Sequence, residues 1–326
     1  MPDAPVLEVR GLTVEYLTDA GPVRAVERFD LDILPGEFVG VVGESGCGKS
    51  TMLFGIAQLL SPPARVSEGS VRFRGHDLVT MTDRQLAATR WRDLSVVMQS
   101  AMNALNPVAQ LGDQFADAMR AHGERSRATI RQRSEEVLAL VGIDLVHLKS
   151  YPHQLSGGMR QRAMIAMALL FSPDLVIMDE PTSALDVVAQ RSLMLQVKQL
   201  QQQLGFAVLF VTHDMSLVSH FSDRLVVMYA AKAVEIGSTK EIFANPGHPY
   251  TEGLLDAFPS IRGPRLPLTG IPGSPPNLLH PPVGCRFAPR CPKRFEMCDV
   301  EPPFYDAGTG RAACHLHALA DKKVVR

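Results

Sequence analysis

The stretch GESGCGKST, residues 43–51, follows the apolar run EFVGVV and opens a helical pattern. That is the order of strand, loop and helix in which a backbone cradles phosphate. Gly43, Gly46 and Gly48 let the chain wrap an anion, so that consecutive amides, those of Ser45 and Cys47 among them, point inward at the positive end of the helix. Lys49 brings charge to the β- and γ-phosphates, Ser50 offers its hydroxyl to Mg²⁺, and Thr51 supports the phosphates. Cys47 stands at a variable position of the loop and reads as a passive small residue, with a redox switch as the alternative.

Outward from this loop, LTVEY (12–16) and VERFDLDIL (26–34) alternate apolar and polar residues, the pattern of half-buried antiparallel strands. EFVGVV (37–42), LSVVM (94–98), LVIMD (175–179) and AVLFVT (207–212) are short, branched and almost wholly apolar, as parallel strands covered on both faces are. Helical patterns at 49–60, 112–121, 128–141, 156–171, 187–204 and 215–221 separate them, which predicts an α/β layer order. No strand pattern falls between about 103 and 171, so that stretch is expected to be an inserted helical subdomain. Twelve of the 24 prolines lie between Pro259 and Pro303. They exclude long helices there and mark residues 259–326 as an appended, loop-built segment after a first domain of residues 1–258.

A chain of 326 residues with 46% apolar side chains fills a real core. Its 33 basic and 34 acidic residues give no bulk field to attract nucleic acid or an anionic membrane surface. The longest apolar run, residues 163–171, is far short of the ~18 residues of a membrane span. The opening MPDAPVLEVRGL has neither the basic nor the apolar region of a secretory signal, so a cytosolic setting with reduced thiols is expected.

Two further motifs carry chemistry. LVIMDEPTSALD (175–186) ends a hydrophobic strand in paired carboxylates. Beside a phosphate loop, Asp179 there can reach the Mg²⁺ shell while Glu180 orients and deprotonates a water; the alternative is a solvated turn before Pro181. LSGGMRQR (155–162) runs a Ser-Gly-Gly turn into a helix start, which is either a second anion site or an ordinary cap.

Taken in order, the phosphate loop, Gln99 after a strand, LSGGMRQR, MDEPTSALD and VTHD (211–214) resemble the ATP-binding cassette ATPases of ABC transporters over residues 6–258. The resemblance implies a P-loop NTPase cassette: an N-terminal antiparallel β subdomain, a mostly parallel core sheet, the inserted helical subdomain, and here a Pro/Cys-rich extension. It implies ATP and Mg²⁺ as ligands, with Lys49, Ser50 and Thr51 at the phosphates and metal, Asp179 and Glu180 as the carboxylate pair, and His213 at the γ-phosphate. By itself His213 would read as a structural histidine. Gln99 would link the Mg²⁺ site to a membrane subunit. Tyr16 would stack on adenine, although Leu12, Val14 and Tyr16 share a strand face and core packing is the alternative. Ser156 and Gly158 would cap the γ-phosphate held by the other subunit of a head-to-tail dimer, with Asp186 at the same interface.

Met159 and the segments HPYTEGLLDAFP (248–259) and IPGSPPNLLHPPVGCRFAPRCP (271–292) resemble the oligopeptide, dipeptide and nickel importer branch. That implies peptide import at the cytoplasmic face of the membrane, with two transmembrane permease subunits, a homologous second ATPase subunit and an extracytoplasmic solute-binding protein as partners. Nickel or glutathione import, a homodimer, and a soluble cassette acting on nucleic acid or ribosomes are the alternatives. Ser100 and Ala101 depart from the acidic residue and proline expected after Gln99. The tail also holds Cys285, Cys291, Cys298 and Cys314, four of the five cysteines. Gaps of five, six and fifteen residues fit neither the close pairs of structural zinc nor a ferredoxin pattern. Resemblance to the peptide-permease tail implies a [4Fe-4S] cluster, offset by the charges of Arg286, Arg290, Lys293 and Arg294; Zn²⁺ and free thiols are the other readings.

Overall fold

The computed structural model describes residues 4–99, 104–183, 185–257, 270–308 and 310–318. Ser100 and Ala101, the start of the expected helical insertion and the expected boundary at 258/259 lie outside them. The strands in chain order are β1 (Leu7–Thr18), β2 (Gly21–Ile33), β3 (Phe38–Val42), β4 (Ala64–Phe73), β5 (His76–Asp77), β6 (Leu94–Val97), β7 (Leu175–Asp179), β8 (Ala207–Val211), β9 (Arg224–Tyr229), β10 (Lys232–Ser238), β11 (Tyr305–Ala307) and β12 (Gly310–Ala312). The α-helices are α1 (Lys49–Ile56), α2 (Asp83–Thr89), α3 (Leu111–Ala121), α4 (Arg127–Leu140), α5 (Gly157–Ala168), α6 (Val187–Leu204), α7 (Met215–Phe221), α8 (Thr239–Ala244) and α9 (Pro249–Asp256).

The chain forms two compact units, one of Leu7–Asp32, Phe38–Val79 and Val211–Arg326, the other of Met1–Val6, Ile33–Glu37 and Thr80–Phe210. In the first, β2, β1, β4 and β5 make an antiparallel sheet in that order, with Val9 opposite Val71 and Tyr16 opposite Ala64. Its other strands run β11, β12, β10, β9, β3, and β3 lies parallel to β9 with Val41 against Val226. Every residue of β3 is buried. At Gly40 a Cβ would stand 2.5 Å from Ser222 Oγ and 2.8 Å from Val218, so glycine there lets α7 lie flat on the strand.

In the second unit β6 and β7 are parallel, Val97 facing Met178, and β8 is the strand beside β7. Strands β7 and β8 are wholly buried, as their unbroken apolar composition requires. Among the described residues between β6 and β7 the regular structure is helical, with α3 and α4 followed by two short 3-10 turns, Leu145–Lys149 and Pro152–Gln154, that lead into α5. Leu111, Phe115 and Met119 of α3 and Val137 and Leu138 of α4 supply its buried faces. Helix α6 is capped at Asp186, which accepts from Ala189 N–H, and stops at Gly205 with φ of 78°. Among the described residues no helix is long and apolar enough to cross a membrane.

Candidate nucleotide site and cysteine cavity

The phosphate loop is shaped by steric exclusion. At Gly43 (φ 154°) a Cβ would meet Met228 O at 2.1 Å, and at Gly48 (φ 103°) Ala25 O at 2.0 Å. Only glycine lets the loop pass these two backbones. Helix α1 starts at Lys49 with Gly48 as N-cap, no side-chain cap and no acidic residue in its first turn. That is the arrangement that turns amides toward an anion. Lys49, 7% exposed, donates to Gly43 O at 2.7 Å and to Glu44 O at 3.0 Å, and its Nζ lies 3.8 Å from Cys47 Sγ. The Cys47 thiol is buried and its pKa is pushed up by desolvation, against redox reactivity. Ser45 and Gly46 are exposed, and Ser50 and Thr51 are half-buried.

Tyr16 is half-buried, with its hydroxyl 3.3 Å from Thr51 Oγ1. Leu12 and Val14 are fully buried against Gly55 of α1, so both readings of this strand face hold a part: two core residues, then a ring at the edge beside the loop. His213 is exposed just after Thr212, whose N–H bonds to Val41 O at 3.1 Å and so ties this segment to the loop's own strand. Asp214 caps α7 by accepting from Ser216 N–H at 2.8 Å.

In the other unit the parallel register determines which residues meet. With Val97 facing Met178, two further residues bring Gln99 level with Glu180, and Gln99 Nε2 donates to Glu180 Oε2 at 2.8 Å. Asp179 is 2% exposed at the end of β7. Glu180 has φ of 43°, in the left-handed region that a side chain adopts at a cost of about 1–3 kcal/mol. Ser156 caps α5, accepting from Met159 N–H at 3.3 Å, and a Cβ at Gly158 would meet no atom within 4 Å. The Ser-Gly-Gly turn is thus both a cap and an open helix start. Asp186 is exposed, followed by Val187 and Val188 at 79% and 80% exposure.

The family described as "ABC transporter" matches residues 26–183, and that described as "Oligopeptide/dipeptide transporter, C-terminal region" matches residues 234–298. The chain is 44% identical over 297 residues to the dipeptide transport ATP-binding protein DppD of Bacillus subtilis, covering 90% of this chain and 89% of that one. It is 40% identical over 308 residues to the oligopeptide transport ATP-binding protein OppD of Salmonella typhimurium, covering 94% and 92%. The chain belongs to the ABC transporter family of ATP-binding proteins. Among solved structures, the dimeric MJ0796 cassette, a bacterial ABC transporter cassette by its description, aligns with a TM-score of 0.64 at 28% identity, over 72% of this chain and 98% of that one. The protein is accordingly an ABC-type ATPase with the P-loop cassette fold, and ATP with Mg²⁺ is its expected ligand pair.

In the tail of this cassette, Cys285, Cys291, Cys298 and Cys314 line one small cavity together with His248 and Phe287. All five cysteines are free thiols. Burial raises the pKa of Cys285 and Cys291 and pushes Cys314 up to about 11. Burial likewise drives His248 down to about 3; its Nδ1 accepts from Tyr250 N–H at 3.0 Å and, among the described residues, its Nε2 has no hydrogen-bond partner. Among the described residues no three His, Cys, Asp or Glu side chains gather closely enough to hold a metal ion, so the side-chain arrangement supports neither zinc nor the expected [4Fe-4S] cluster.

The four cations expected to offset charge at the thiols each have a carboxylate partner, and Lys293 also acts on Cys291, lowering its pKa against the larger effect of burial. Arg286 pairs with Glu27, Arg290 with Glu44, Lys293 with Glu252, and Arg294 with Asp299. These four cations clamp the tail to carboxylates, three of them on distant parts of the unit. Proximity in sequence to the cysteines said where the charge was, and gave no sign of its partner.

Sequence reasoning also missed the hairpin of β9 and β10. Its two-residue turn, Ala230–Ala231, has φ of 44° and 71°, a geometry that normally announces itself as Asn-Gly. Two alanines hide it. The turn is held from outside instead: Ala231 N–H donates to Cys47 O at 2.9 Å, Glu27 N–H donates to Ala231 O at 2.8 Å, and Arg286 donates to Ala230 O.

Proposed function

We propose that this ATPase is the energy-coupling subunit of an importer for di- or oligopeptides, peripheral to the membrane on its cytoplasmic face. The observation that carries the reading is similarity to dipeptide and oligopeptide transport ATP-binding proteins over at least 90% of the chain, tail included. Its partners are two transmembrane permease subunits, a homologous second ATPase subunit and an extracytoplasmic solute-binding protein. The cassette occupies residues 1–258 and the extension 259–326.

The loop amides and Lys49 bind the β- and γ-phosphates, with Tyr16 on the adenine. Ser50, Asp179 and Gln99 are the residues that would hold Mg²⁺, which when bound would supply charge neutralisation at the phosphates. Glu180 accepts the proton of the attacking water, its carboxylate held by Gln99, and His213 donates to the γ-phosphate. Ser156 and Gly158 present the open start of α5 to the nucleotide of the second subunit, with Asp186 beside them. Closing around ATP adds contacts that hydrolysis removes, which drives a two-state cycle in the permease.

The four tail thiols are assigned to a [4Fe-4S] cluster. The reading rests on the tail's likeness to the oligopeptide/dipeptide transporter C-terminal region and on the four cysteines lining one cavity. When bound, such a cluster supplies iron–thiolate cross-links where the prolines leave little apolar core. Anaerobically purified protein is expected to be brown with equal iron and acid-labile sulfide, and Cys291→Ser to bleach it. A colourless protein with four titratable tail thiols overturns the assignment. For transport, the assembled complex in proteoliposomes is expected to hydrolyse ATP faster with peptide-loaded binding protein. Stimulation by a nickel chelate and by no peptide would reject the peptide reading.

A further inference from the structure

Arg290 is the last residue of a 3-10 turn, Ala288–Arg290, in the cysteine tail. Its guanidinium forks onto Glu44, with Nη1 to Oε2 at 2.7 Å and Nη2 to Oε1 at 2.9 Å. Nη1 also donates to Tyr229 Oη at 3.3 Å, Nη2 to Ile271 O at 3.3 Å, and Nε to Pro272 O at 2.7 Å. A guanidinium has five N–H groups, and these contacts occupy all of them. The side chain is only 6% exposed.

Glu44 is the second residue of the phosphate loop, and it is gripped at three points. Its carboxylate takes the fork. Its N–H donates to the hydroxyl of Tyr250 at 2.8 Å, and its carbonyl accepts the Lys49 ammonium at 3.0 Å. Tyr250, from the motif HPYT, is fully buried against Tyr229, ring centroids 4.5 Å apart. The connection from Arg290 to Lys49 therefore runs through a single residue.

We propose that Arg290 is a positioning residue for nucleotide binding, setting the phosphate loop and Lys49 through Glu44. With all five N–H groups engaged, Arg290 has no donor left to offer a phosphate. Its fork fixes the loop's entry before the nucleotide arrives, so the ordering is already done when ATP binds. Lysine cannot substitute, since one ammonium has three donors and no planar fork. The turn is bounded by two of the tail cysteines: Ala288 N–H bonds to Cys285 O at 3.0 Å and Cys291 N–H to Ala288 O at 3.3 Å. Loss of the tail's metal centre would thus reach the phosphate loop along this turn; that limb alone rests on the cluster reading above.

The test is calorimetric ATP binding together with steady-state ATPase for Arg290→Lys, Glu44→Gln and the double variant, in the assembled complex. Each single change is expected to raise the ATP Kd and KM about tenfold or more, with kcat at saturating ATP kept within about twofold. The double variant should be no worse than the poorer single one, because both act through one contact. Parental affinity in either variant, additive effects, or a fall in kcat at unchanged KM, which a merely structural clamp would give, overturns the proposal. If Arg290→Lys does not accumulate as folded protein, Glu44→Gln alone decides on the same criteria. Iron chelation should raise the parent's Kd and leave that of Arg290→Lys unchanged. A protein that never held iron would refute the cluster assignment and leave the mutational result to judge the fork.

Discussion

The two regions that carry the ATPase motifs are held in place by opposite means. In the phosphate loop, position is enforced by exclusion: Gly43 and Gly48 pass within 2.1 and 2.0 Å of a backbone oxygen, measured from where a Cβ would be. Lys49 is buried on the loop's own carbonyls. At the carboxylate end of β7, by contrast, Glu180 occupies a strained backbone conformation and its Oε2 takes a hydrogen bond from the exposed Gln99. One region is built to bind the same way each time. The other holds the carboxylate proposed as the base where little movement would redirect it, as a cycle of attack and release would require.

This contrast predicts which kinetic constant each region governs. The largest effect is expected for Glu180→Gln, which keeps shape and abolishes the base: turnover should fall by about 10²–10⁴, with ATP affinity near the parent's. An ATPase rate equal to the parent's would remove Glu180 from its role. Lys49→Ala should act on binding instead, weakening ATP affinity by about tenfold to a hundredfold because a charge-assisted contact is lost. Unchanged affinity by calorimetry would erase the distinction between the regions. Gln99→Ala removes one exposed hydrogen bond, so a several-fold loss of kcat at nearly constant KM is expected. A larger shift in KM than in kcat would place Gln99 with the binding half.

The smallest expected effect concerns the thiol in the loop. Since burial raises the Cys47 pKa, the thiolate fraction at neutral pH is below that of an exposed cysteine, and alkylation should be slow and quicken as pH rises. Peptide mapping after iodoacetamide treatment at two pH values would check this. Rapid labelling of Cys47 at neutral pH would mean the loop opens more readily than its packing implies.

Much of this was legible in the sequence, for identifiable reasons. Helices α6 and α7 and strand β7 match the patterned segments residue for residue, since their apolar periodicity and their Asp caps are both local signals. Helix α2 was missed although Thr82 and Gln85 form a capping box that the sequence spells out. The β9–β10 hairpin was hidden for the opposite reason, because Ala230 and Ala231 are held at positive φ by partners far away in the chain. The same holds for the site. The glycines and lysine of the loop announce themselves, whereas the bond between Gln99 and Glu180 follows from the register of β6 on β7 and the pairing of Arg290 with Glu44 spans 246 residues.

That last separation has a consequence for synthesis. Glu27 and Glu44 emerge from the ribosome 259 and 246 residues before Arg286 and Arg290, the side chains that complete their burial. At roughly 5–20 residues per second, each carboxylate spends on the order of 10–50 s on the nascent chain without its partner. The phosphate loop therefore waits for a residue made 246 positions later, and a ribosome that stops before Arg290 releases a chain whose Glu44 never receives the guanidinium fork.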